Sequence, residues 1–120
     1  MLKFMKRLII SVAVSGCVNA YAGPTTERTP YFDNNQVNVW KTVIYPSANQ
    51  RLKMHAHLYN RVVVALTDGK LKVVNNSGDM HYFAVEKGKA YFLKKNPPGE
   101  MHTDENVSGH SIKLVVIEIK

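Results

Sequence analysis

From Val37 to Lys120 the chain alternates short apolar runs with turn residues, and no stretch carries the capped 3.6-residue stripe of an amphipathic helix. This pattern predicts strands over Val37–Tyr45, Arg61–Leu66, Lys70–Val74, Met80–Val85, Lys89–Leu93 and Ser111–Ile119, all rich in Val, Ile, Tyr or Phe. Between them lie Pro46-Ser47, Asp68-Gly69, Asn75–Asp79, Lys87-Gly88, Pro97-Pro98-Gly99 and Ser108-Gly109, residue types that favour turns. Asp68-Gly69, between two apolar runs, predicts a two-residue hairpin in which the glycine supplies a positive φ. Ile112–Ile119 is apolar at nearly every position, the pattern of a strand buried on both faces or lying between sheets. Short strands at intervals of roughly 8–12 residues predict an all-β sandwich, jelly roll or barrel.

The first residues follow a different pattern. Lys3, Lys6 and Arg7 precede the apolar run Leu8–Val18, which is too short for the roughly 20 residues a bilayer span needs. A positive start, an apolar run and the small-x-small ending Ala20-Tyr21-Ala22 predict a secretory signal peptide over 1–22, cleaved before Gly23. Val14-Ser15-Gly16-Cys17 offers a rival ending, a bacterial lipobox that would leave Cys17 lipidated and the protein tethered. Either route places the protein in the periplasm, outside the cell or on the envelope. Residues 23–36, polar and without periodicity, read as an extended arm ahead of a domain over 37–120.

This leader changes the meaning of the charge. The chain has 120 residues and a net charge of +7, but removing Lys3, Lys6 and Arg7 leaves +4. The remaining lysines are scattered, with no arginine-rich run, which argues against a nucleic-acid partner. The single cysteine lies inside the leader, so the domain can hold neither a disulfide nor a cysteine-based metal site.

The histidines carry the chemistry. His55-Ala56-His57 puts two imidazoles on one face if the segment is a strand, close enough to share one divalent ion. The segment Pro97-Pro98-Gly99-Glu100-Met101-His102 delivers a third imidazole on a strand whose face Glu100 and Asp104 would share. Three protein ligands leaving open positions are usual for a catalytic or ligand-binding metal site. His81 alternates with Phe83 and Val85 toward the same interior, and Trp40, Tyr82, Tyr91 and Phe92 are candidates for a pocket wall or for core.

With these residues in place, the chain resembles the cupin superfamily over about Val39–Lys120. The first cupin motif, Gly-x5-His-x-His-x3,4-Glu-x6-Gly, is met at His55, His57 and Gly69. The second, Gly-x5-Pro-x-Gly-x2-His-x3-Asn, is met at Pro97, Gly99, His102 and Asn106. The resemblance implies a double-stranded β-helix (jelly-roll) barrel with one divalent metal on His55, His57 and His102. Asn49 replaces the first motif's opening glycine, Tyr91 stands where the second motif's would fall, and Gly88 takes that turn in a longer hairpin. The motif glutamate is missing, because Arg61 and Val62 hold its two allowed positions.

Three readings of that loss stand side by side. Three histidines alone hold a metal (Zn, Mn, Fe, Ni or Cu suit imidazole), Glu100 supplies the missing carboxylate, or the site holds no metal and Arg61 binds an acidic ligand. The function classes divide in the same way. A binding module would present the metal to a small-molecule ligand held by Arg61 and His81. A dioxygenase-, isomerase- or lyase-like enzyme would use Glu100 or Asp104 as acid or base. A structural or tethered envelope protein would use the barrel only as scaffold. The resemblance also implies pairing into a homodimer.

Overall fold

A computed structural model describes residues 26–120; the leader expected over 1–22, its cleavage point and Cys17 lie outside the described residues. Nine strands follow in order: β1 (Glu27–Asp33), β2 (Val37–Ile44), β3 (Leu52–His55), β4 (Asn60–Ala65), β5 (Gly69–Asn75), β6 (Met80–Val85), β7 (Ala90–Leu93), β8 (His102–Asn106) and β9 (Ile112–Ile119). They form a five-stranded sheet, β1-β2-β9-β4-β7, and a four-stranded sheet, β3-β8-β5-β6, with antiparallel pairing throughout. This is the jelly-roll architecture.

Alternation along each strand decides what faces the interior. On β4, Arg61, Val63 and Ala65 are buried while Val62 and Val64 are half-buried on the other face. Trp40 and Ile44 of β2, Ile112, Leu114 and Val116 of β9, and Leu71 and Val85 from the opposite sheet complete the core. An arginine thus occupies the same inward row as core valine and alanine.

The expected Asp68-Gly69 hairpin does not exist. β4 and β5 lie in different sheets, so the segment is a corner that carries the chain across the barrel. Gly69 has no positive φ; it is needed because a Cβ there would run into the Ile112 side chain. Lys87-Gly88 is likewise a corner, between β6 and β7, with Gly88 at φ +86° donating its N–H to the Ala65 carbonyl at 2.8 Å. Local sequence marks a turn in both places. Which strands flank it as partners depends on the whole barrel.

Residues 27–33, inside the expected arm, are an edge strand laddered on β2. The register shifts between Pro30 and Phe32, as suits a proline that has no N–H to donate. From β1 the Arg28 guanidinium lies 3.6 Å from the centre of the Trp40 ring, so a polar segment caps the open edge of the core. β9 is central in its sheet but is fully buried on one face only. Its other face carries half-buried Val115 and Ile117, in a row that runs from Phe32 through Val39, Ile117 and Val62 to Phe92. Val39 is buried in that row, while Phe92 stays exposed at its end.

Asn106 closes the barrel. It is 1% exposed, and its amide Nδ2 donates to the carbonyls of Ile44 and His110, each at 2.8 Å, while Oδ1 accepts from the Ser108 N–H at 2.8 Å. One side chain therefore ties β8 to the end of β2 and shapes the turn into β9.

Candidate metal centre

The second motif's turn comes first. Pro97 accepts a hydrogen bond from the Glu100 N–H at 3.1 Å, with Gly99 at φ +83°, a backbone that glycine adopts without a Cβ penalty. The turn is pinned to the opposite loop by Asn76, whose amide donates to the Gly99 carbonyl and accepts from the Met101 N–H. β8 then starts at His102, directly opposite His55 of β3. A cross-strand pair is thereby made from two motifs almost fifty residues apart.

His57 arrives differently from expectation. β3 ends at His55, so the two histidines of the first motif do not share a strand. His57 is held instead by Asn96, whose Oδ1 accepts from the His57 N–H at 2.7 Å and whose own N–H donates to the His57 carbonyl at 2.9 Å. The rings still converge, with centroids 4.9 Å apart for His55–His57, 4.5 Å for His55–His102 and 5.2 Å for His57–His102. One ring nitrogen from each of the three lies within 4.8 Å of the others.

Hydrogen bonding orients this set. His55 Nδ1 lies 2.6 Å from the Lys53 carbonyl, which can only accept, so Nδ1 carries a proton and Nε2 is the nitrogen turned toward the cluster. His57 Nε2 approaches it to 3.2 Å. Burial, then the Arg61 guanidinium and the neighbouring imidazoles, push the His57 pKa down to about 3, so this ring is neutral at physiological pH. Imidazoles with converging nitrogens, in a partly dry site, fit a first-row divalent ion.

Two charged groups flank the cluster. Asp104, two residues after His102 on the same face of β8, places Oδ2 3.4 Å from His55 Nε2 and 3.5 Å from His102 Nε2. Arg61 is 9% exposed and donates from Nη1 to the Lys94 carbonyl at 3.4 Å. Burial lowers its pKa, against the pull of Asp104 and of Glu118, its cross-strand neighbour on β9. The cluster and Arg61 share one cavity of about 800 Å³ between the sheets.

The remaining sequence candidates lie around the cluster or outside the cavity. Glu100 lies in the turn before β8, not on the strand; it lines the cavity, and its Oε2 accepts from Asn96 Nδ2 at 3.3 Å. His81 lines the cavity from edge strand β6, level with Asp104 across Val73. Trp40, a core residue, and the half-exposed Tyr82 line the cavity, whereas Tyr91 packs against the core and Phe92 is exposed outside it. Asn96 was missed by sequence reasoning, since an asparagine ahead of two prolines reads as turn chemistry alone.

No family model matches the chain. Over 97 residues it is 38% identical to the β-alanine degradation protein BauB of Pseudomonas aeruginosa, covering 81% of this chain and 96% of that protein. Its fold matches the crystal structure of a cupin domain from Bordetella pertussis with a TM-score of 0.68 and 26% identity, over 81% of this chain and 95% of that one. The chain is a cupin, in one family with BauB. An RmlC-like cupin from Methanocaldococcus jannaschii shares the double-stranded β-helix at a TM-score of 0.60 and 10% identity, over 79% and 80% of the two chains. In this cupin the three histidines lie in position for a metal, and Arg61 stands inward where the motif glutamate would be.

Proposed function

We propose that this cupin binds one divalent first-row metal ion through His55, His57 and His102 and presents it to a small anionic ligand held by Arg61. The observation that carries the reading is the convergence of three ring nitrogens within 4.8 Å, with His55 oriented by the contact of its Nδ1 with the Lys53 carbonyl. A bound divalent ion would act there as a Lewis acid on a ligand oxygen.

Arg61 supports the ligand class. It lacks an ion pair within 4 Å among the described residues, so its planar donor fork is available to a carboxylate in the cavity. BauB is named for degradation of β-alanine, a small amino acid that carries such a carboxylate. The leader over 1–22 makes export to the periplasm or beyond part of the same proposal; an N-terminus at Gly23, or a lipidated Cys17, on protein recovered from a bacterial envelope tests it. No helix among the described residues is long and apolar enough to cross a membrane.

Elemental analysis of the purified protein tests the metal. Bound first-row metal, lost in His55→Ala, together with a higher Tm on adding Zn²⁺ or Mn²⁺, is the expected result. Protein that carries no metal and gains no stability from either ion overturns the reading.

A further inference from the structure

We propose that Asp104 is the fourth protein ligand of the metal centre, replacing the glutamate that the first motif lacks; this rests on the three-histidine reading above. β4 offers no carboxylate at the motif position, because Arg61 points inward there and Val62 faces outward. β8 offers one. Its inward row is His102, Asp104 and Asn106, and Asn106 is fully committed to closing the barrel.

The contacts place Asp104 on the ligand side of the cluster. A carboxylate that merely braces a metal-binding histidine contacts the ring nitrogen turned away from the ion. On His55 that role belongs to the Lys53 carbonyl, at Nδ1. Asp104 instead approaches Nε2 of both His55 and His102, and these are its ion-pair contacts among the described residues. Its side chain is only 14% exposed, and no backbone N–H among the described residues donates to the carboxylate in place of bulk water.

Spacing agrees. Metal–nitrogen and metal–oxygen bonds of about 2.0–2.2 Å put neighbouring donors of one ion about 3.0–3.5 Å apart. The separations here are 3.2 Å between His55 and His57, 3.4 Å from Asp104 to His55 and 3.5 Å from Asp104 to His102. Charge agrees as well. Three neutral imidazoles and a buried guanidinium would leave a divalent ion uncompensated, whereas Asp104 faces both the cluster and Arg61. Glu118 is spent on Arg61's side of the cavity and Glu100 on Asn96. Three imidazoles and one carboxylate leave two of six octahedral positions for a ligand.

The test is titration of metal-free purified protein with Zn²⁺ and Co²⁺ against a competing chelator. The set comprises the native chain, Asp104→Asn, Asp104→Cys, Glu100→Gln and His55→Ala, with the metal-free Tm of each verifying folding. Asp104→Asn is expected to weaken binding by more than about a hundredfold, beyond the 10–100-fold typical of losing an outer partner, while Glu100→Gln stays near native. Co²⁺-loaded Asp104→Cys is expected to show a near-ultraviolet thiolate-to-cobalt band that native protein lacks. Native-like affinity in Asp104→Asn, or a cobalt-loaded Asp104→Cys without that band, overturns the proposal while leaving the three-histidine site intact. Failure of the native chain to bind either ion overturns both.

Discussion

Asn96 grips His57 at both of its backbone polar groups, accepting from its N–H at 2.7 Å and donating to its carbonyl at 2.9 Å. Two loops 39 residues apart are thereby locked together beside the metal cluster. His57 lies beyond the end of β3, so this clamp supplies what a strand supplies for His55 and His102. Asn96→Ala is expected to cost about 1–2 kcal/mol by leaving the His57 N–H unpaired, and to lower Zn²⁺ affinity about tenfold or more. Asn96→Asp, which keeps the acceptor, is expected to retain most of both. Thermal melting and zinc titration of the pair measure this, and equal behaviour of Ala and Asp variants would remove the clamp from the account.

Gly69 tests the corner. A Cβ there meets Ile112, which is fully buried and unable to retreat without disturbing the core. Gly69→Ala is expected to destabilise by about 1–3 kcal/mol, a fall in Tm of about 4 °C or more for a domain this size. Gly69→Ala combined with Ile112→Ala is expected to cost less than the two single losses added together, since removing Cγ1 and Cδ1 yields the space. A Tm unchanged in the single variant would contradict the close packing.

His57 gives the metal-free protein a defined pH response. Its folded-state pKa is about 3, below the 6.5 of an unfolded chain. Between those values the unfolded state binds the extra proton, so this histidine's contribution to stability falls as pH drops through that window and is fully retained above 6.5. His57→Gln is expected to flatten the Tm-versus-pH curve over that range relative to the native chain. Parallel curves for the two would show that His57 does not resist protonation.

Arg61 separates ligand binding from metal binding. Arg61→Leu is expected to weaken binding of β-alanine or another small carboxylate to the metal-loaded protein by about 1.5–3 kcal/mol, the value of a charged hydrogen bond. The same change removes a positive charge facing His57, so metal affinity is expected to hold or rise. Calorimetric titration of both partners measures the split, and a parallel loss of metal would place Arg61 in support of the cluster instead.

Much of this fold was legible in the chain because it is local. Alternation on Arg61–Leu66 and Met80–Val85 is a property of the strand itself, and the motif spacing names the three histidines before any folding. Strand partners are not local. Asp68-Gly69 and Lys87-Gly88 have the residues of tight turns, yet each passes between sheets: β4 pairs with β9 and β7 and β5 with β8 and β6, while β6 and β7 are outer strands of different sheets. The composition of the edge strand β1 is that of a polar arm, because its order comes from pairing with β2 and from Arg28 over Trp40, neither visible in its own residues.

The site divides along the same line. By itself the sequence determined an all-β cupin chain with three candidate imidazoles, a missing glutamate and an arginine in its place, since residue type and spacing survive without coordinates. Only the tertiary structure decided which carboxylate stands at the cluster. Glu100 and Asp104 each lie two residues from His102, and alternation alone would give them the same face. β8 begins at His102, so Glu100 belongs to a turn and reaches Asn96, while Asp104 remains on the strand and reaches the imidazoles. The physical reason is that side-chain direction follows backbone conformation, and where a strand starts is fixed by its partners, β3 and β5, rather than by its own residues.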